Sequence, residues 1–159
     1  MHDRPAEVID DAAHSDLAKA LFNRSWTLLD TADRTRAQDD ELIATAQASL
    51  WHWLQVGTEL NRERGHWLIA RCCAEVGRGD EALHHADVCL QSCLEHDHGV
   101  FDLAFAHEAR ARALIAAGRL DEAHEVIDAA ALEGAAIGNA DDQQWLTDNL
   151  KALHERLDA

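Results

Sequence analysis

The chain has 159 residues, with 14 lysines and arginines against 30 aspartates and glutamates, for a formal charge of −16. A field of that sign repels phosphate backbones and anionic head groups, so neither nucleic acid nor a membrane surface is expected as a partner. Hydrophobic residues make up 47%, with one proline and eight glycines. Alanine, leucine, glutamate and arginine outnumber valine and isoleucine, the composition of one helical domain long enough to bury a continuous core. Lys19 and Lys151 are the only lysines, a usage that fits a GC-rich bacterial genome.

Residues 1–13 are polar and aperiodic and read as a flexible arm. No secretion signal or membrane-spanning run is legible, so the expected location is cytoplasmic. Ser15 is placed to cap a first helix whose stripes are Leu17, Leu21, Leu28 and Ala18, Phe22, Leu29, closed by the polar run 30–36. A second helix carries Leu42, Ile43, Ala46, Leu50 and Trp53 and stops at Gly57, where a left-handed terminus is expected. The third, about 59–76, shows Leu68, Ile69, Cys72, Cys73 and Val76 and breaks at Gly77-Arg78-Gly79. Asp80 reads as the cap of a fourth helix with Leu83, Ala86, Leu90 and Leu94.

A fifth helix, with Phe101, Phe105, Ala109, Ala113 and Leu114, ends at Gly118, and a sixth carries Ala123, Val126, Ile127 and Ala130. The seventh opens near Asp141 and places Leu146, Leu150, Leu153 and Leu157 on one face. The segment 77–82, Gly-Arg-Gly-Asp-Glu-Ala, recurs at 118–123 as Gly-Arg-Leu-Asp-Glu-Ala, an offset of 41 residues. Small or apolar residues recur around it at the same offset, in the pairs Ala70/Ala111, Cys73/Leu114, Ala86/Ile127 and Cys89/Ala130.

This pattern resembles the tetratricopeptide repeat (TPR), in which a glycine ends helix A, an acidic-Glu-Ala segment opens helix B, and small residues let the two approach. The resemblance is specific over 59–138 and rests on pattern alone over 14–57. The family unit is about 34 residues, so the offset implies longer helices. His66, Cys73 and His107 stand where helix A usually has aromatics, and the proline after helix B is absent. The resemblance implies an all-α superhelix of three antiparallel pairs, 14–57 (degenerate), 58–97 and 98–138, closed by a capping helix over 139–158.

The resemblance also implies a scaffold that binds a protein or peptide segment, or a second copy of the chain, on the concave face of the A helices. Carried over by position, that face presents Arg64, Trp67, Arg71 and Ala74, then Phe105, Glu108, Arg112 and Ile115, with Asn23 and Thr27 from the first pair. Arg71 and Arg112 at equivalent places suit a clamp for an acidic group, with Trp67 and Phe105 as anchors. The other reading has both arginines pairing with Glu75, Glu108 or neighbouring acids and only supporting the scaffold.

Eleven histidines and four cysteines raise a second possibility, a metal- or small-ligand-binding protein using the His/Cys-rich helix around 84–96. His85, Cys89, Cys93 and His96 share a face, but eleven residues span roughly 16 Å, too far for one ion. A site would need Cys72 or Cys73 from the facing helix. Packed thiols are the favoured reading of all four, and no metal or other cofactor is assigned. Phosphate-loop, nucleophile-elbow and His-Glu-x-x-His motifs are absent, so catalysis is not expected. The tryptophans at 26, 51, 53, 67 and 145 read as core or inter-helix wedges. Trp51 and Trp53 cannot both point inward, so one is a candidate interface anchor.

Overall fold

The computed structural model describes residues 8–159, and these form seven α-helices with no strand among them. They are α1 (Asp11–Leu29), α2 (Arg36–Val56), α3 (Glu59–Glu75), α4 (Gly79–His96), α5 (Val100–Ala116), α6 (Leu120–Gly134) and α7 (Ala140–Asp158). Short connections fold consecutive helices back on one another, giving the hairpins α1–α2, α3–α4 and α5–α6. The hairpins stack in chain order. The odd helices pack along the stack, α1 to α3, α3 to α5 and α5 to α7, whereas the backbones of α2, α4 and α6 stay apart, with Gln47 of α2 reaching Glu81 of α4 by a side-chain hydrogen bond at 3.3 Å. Inner helices packed together and outer helices held apart bend the array, with the odd helices on its concave side.

Local chemistry sets the boundaries. Asp10 accepts from the Ala13 amide and starts α1 four residues before the expected cap, leaving Ser15 inside the helix. Residues 11–13 of the expected arm are therefore helical, and 1–7 lie outside the described residues. Thr35 with Gln38 and Thr58 with Asn61 form reciprocal capping boxes on α2 and α3. Gly57 is extended, with φ −78°, rather than left-handed, because Thr58 turns the chain directly into the next cap.

The two hairpins of the internal repeat share one turn. Gly77 and Gly118 adopt φ of +81° and +76°, and the following amides of Arg78 and Arg119 reach back to Cys73 and Leu114 at 2.8 and 2.9 Å. These 6→1 bonds satisfy the last carbonyls of α3 and α5 and need a residue free to go left-handed. Helices α4 and α6 follow without a side-chain cap; Asp80 lies in the first turn of α4 instead of at its cap.

The core runs through every hairpin, from Leu28 and Leu42 through Leu68 and Ile69 to Leu114, Ile127 and Leu153. Leu94, grouped with the apolar face of α4 in sequence, is 64% exposed, and Trp51 is the outward member of its pair at 49%. No described helix is long and apolar enough to cross a membrane.

Candidate functional site

Each inner helix turns aromatic side chains toward the concave side, and they converge. Trp26 of α1, Trp67 of α3, and Phe101 and Phe105 of α5 surround Trp145 of α7. Trp145 lies 4.4 Å from Phe105 between ring centres and 6.1 Å from both Trp26 and Trp67. Trp67 and Phe105 meet edge to face at 6.2 Å, a favourable arrangement for ring quadrupoles. Between these walls is a cavity of about 290 Å³, which Glu63, Arg64 and Asp102 also line. That is the lower end of ligand-pocket size.

The charged groups at this cavity are unevenly matched. Arg64 makes a two-point fork on Asp102, at 2.8 and 3.1 Å, and sits over Phe101 at 5.9 Å. Asp102 is therefore answered. Glu63, 2% exposed, receives the Cys89 thiol at 2.7 Å and the Cys93 thiol at 3.5 Å, both on Oε1. Its Oε2 is buried with no hydrogen-bond partner among the described residues. Burial, with Asp102 adding to it and the thiols opposing, pushes the Glu63 carboxyl up to about 7. Hydrogen bonding with Cys93, burial and Glu63 hold the Cys89 thiol well above its usual value.

Beyond Trp145 lies a second cluster, built by ion pairing. Arg112, 3% exposed, donates to Glu108 at 2.6 Å, to Glu75 at 3.0 Å and to the Asn149 side chain of α7 at 3.2 Å. Arg71 donates to the same Asn149 oxygen at 3.0 Å and stacks over Trp26 at 5.4 Å. Arg156 adds a further contact to Glu75 at 3.2 Å. Burial raises the Glu75 carboxyl, but Arg156 and Arg112 outweigh it and hold the group below its ordinary value. Arg112 of the expected clamp is thus engaged inside the chain, with Glu108 fully buried beneath it, whereas Arg71 makes one hydrogen bond, to Asn149, lies 4.0 Å from Glu108 and keeps a buried Nε with no partner among the described residues.

The sequence-derived site residues divide accordingly. Arg64, Trp67 and Phe105 meet at the aromatic cavity; Arg71, Glu108 and Arg112 meet at the ionic cluster; Asn23 lies in an adjoining groove with Lys19 and Trp53, which Arg64 also lines. Trp26, Trp145, Phe101, Glu63 and Asp102 are site components that position along the A helices did not pick out. For Trp145 the available signal was a large aromatic in the first turns of a helix otherwise rich in acids and amides.

The residues weighed for a metal also separate. His85 pairs with His66, Nδ1 to Nδ1 at 3.0 Å, and His96 lies 3.6 Å from Glu59. Cys72 and Cys73 are packed in the core, where burial leads in pushing both thiols up to about 12. Only Cys89 and Cys93 converge, and they do so on Glu63. No family model, curated protein or solved structure matches the chain.

Proposed function

We propose that the chain is a TPR-like binding module, not an enzyme, whose concave face takes one compact group instead of an extended peptide. The observation that carries this reading is the position of Trp145. By standing among Trp26, Trp67 and Phe105 it interrupts the groove along the inner helices and leaves a half-open aromatic cavity. The engagement of Arg112 by Glu75, Glu108 and Asn149 favours the same view, since a carboxylate arriving at the arginine pair would have to displace buried ion pairs of Arg112. The 41-residue recurrence, the repeated glycine turn and the concave row of odd helices support the TPR-like part of the reading.

The occupant on this view is a small molecule, or a single side chain of a partner protein, with an apolar body. Three of the five tryptophans line the cavity, so filling it changes their fluorescence. Titration with indole, cyclohexylamine, cyclohexanol and cyclohexanecarboxylate tests the reading. Saturable quenching by at least one of the first three, abolished in Trp145→Ala, is the expected result. If none of the four perturbs the tryptophans and only peptides of several residues bind, the chain uses an open groove and the reading fails.

A further inference from the structure

We propose that Glu63, Cys89 and Cys93 form a binding site for a thiophilic divalent cation of the zinc class. The three donor atoms lie within 4.8 Å of one another, and all three residues are buried. Zinc bonds of about 2.3 Å to sulfur and about 2.1 Å to oxygen imply tetrahedral edges of roughly 3.6 Å for S···O and roughly 3.8 Å for S···S. The present separations of 2.7 and 3.5 Å to Oε1 need only a small opening to reach that geometry. Cys89 and Cys93 are four residues apart on α4 and so project side by side toward α3.

The internal repeat supplies the control. Helices α3 and α5 are both 17 residues long, and the 41-residue offset superposes their ends and the starts of α4 and α6. Under that offset Glu63, Cys89 and Cys93 correspond to Ala104, Ala130 and Gly134, all buried small residues. Packing two such hairpin helices therefore asks for little volume at these places and for no donor at all. Three donors stand where the other copy has three small residues, at positions scattered across two helices that meet at one point. Cys72 shows what a merely packed cysteine looks like here, since it is fully buried and no carboxylate hydrogen-bonds to it.

The Glu63 oxygen left without a partner points the same way. A buried carboxylate acceptor with no donor is costly, and a cation answers it. Arg64 is not available for this, being forked on Asp102. Glu63 also borders two cavities, the aromatic one and a groove of about 510 Å³ between α3 and α4 that carries His66, His84 and His96. The second gives an ion a route in; the first leaves room for water or the pocket's occupant as a fourth ligand. On binding, the two thiol protons, and that of Glu63 where present, leave to solvent, with no change of oxidation state.

Cobalt titration of the full chain, with any affinity tag removed, reads the site directly, because thiolate ligands give cobalt a near-ultraviolet charge-transfer band. One ion per chain with that band, displaced by zinc, is expected. The band should vanish in Cys89→Ala/Cys93→Ala, persist in Cys72→Ala, and need roughly tenfold or more cobalt in Glu63→Gln, since even outer-shell losses cost about 10–100-fold. Absence of the band in the wild type, or its survival in the double variant, overturns the proposal. Should the double variant fail to fold by circular dichroism, Cys93→Ser and Glu63→Gln carry the same test, and an unweakened band in both counts against it.

Discussion

The second and third hairpins are two versions of one frame, and they differ at three buried positions that meet. Both have the left-handed glycine, the 6→1 turn and an inner helix of the same length. One encloses Glu63, Cys89 and Cys93, and the other encloses Ala104, Ala130 and Gly134. Turn chemistry and small-residue spacing are what the frame demands, so both copies keep them. A buried carboxylate and two thiols are not, which makes the second hairpin the informative one.

The largest expected effect breaks the frame at the ionic cluster the two hairpins share. Arg112→Met leaves Glu108 and part of Glu75 buried without their cation, and should cost about 3–5 kcal/mol in urea unfolding. A loss below about 1 kcal/mol would mean that the cluster is solvated and only decorates the surface.

Next come Gly79 and Leu120, equivalent starts of α4 and α6. A Cβ at Gly79 would run into the Ala116–Ala117 backbone at the end of α5, whereas Leu120 is 44% exposed. Gly79→Ala should destabilise by about 1–3 kcal/mol and Leu120→Ala by less than about 0.5 kcal/mol, as read from thermal midpoints. Equal effects would show that the stacking of hairpin two on hairpin three is looser than described.

The smallest effect is a pH dependence to which the second hairpin contributes a facing histidine pair, His66 and His85, and the third a single histidine, His107, which burial also lowers. His66 faces His85 in the second hairpin, while its counterpart His107 stands opposite the position of Val126. Burial first, then His85 and His84, push His66 down to about 4, and His85 is also lowered. The unfolded chain binds these protons near pH 6.5 and the folded one refuses them, so stability is complete above about 6.5 and falls toward about 4. After discounting for partial solvent screening this amounts to on the order of 1–2 kcal/mol. The drop in melting midpoint between pH 7 and pH 4 should shrink in His85→Val; an unchanged drop would place the titrating groups elsewhere.

Much of the frame was legible in the residues. Period, turn glycines and the Asp-Glu-Ala recurrence locate seven helices and their pairing because these are local signals that the fold obeys. Ser15 misled because Asp10, earlier in a stretch with no apolar period, supplies the stronger cap. The site was less legible. Position along the A helices brought out Trp67, Phe105 and Arg64, but whether a side chain faces a groove or a neighbour depends on helices far away in sequence. Arg112 and Asn149 are 37 residues apart, and Arg71 and Asn149 are 78 apart. Helix α7 read as a capping helix held by its leucine face, and two residues beside that face, Trp145 and Asn149, decide what the concave face can be. Glu63 had a usable signal: set against Ala104 under the offset, a charged residue stands where the frame asks for alanine.

The contact between Trp26 and Trp145 joins the first inner helix to the last. Linear repeat arrays couple each unit only to its neighbours, so their ends can fray one at a time. Here one ring pair, 6.1 Å between centres, bridges the two ends of the stack although the backbones of α1 and α7 stay apart. Loosening either end removes a wall of the aromatic cavity and a partner of the opposite end together. Melting should accordingly be more cooperative than in an open row of the same length, and an occupant of the cavity would act as a clasp for the whole chain.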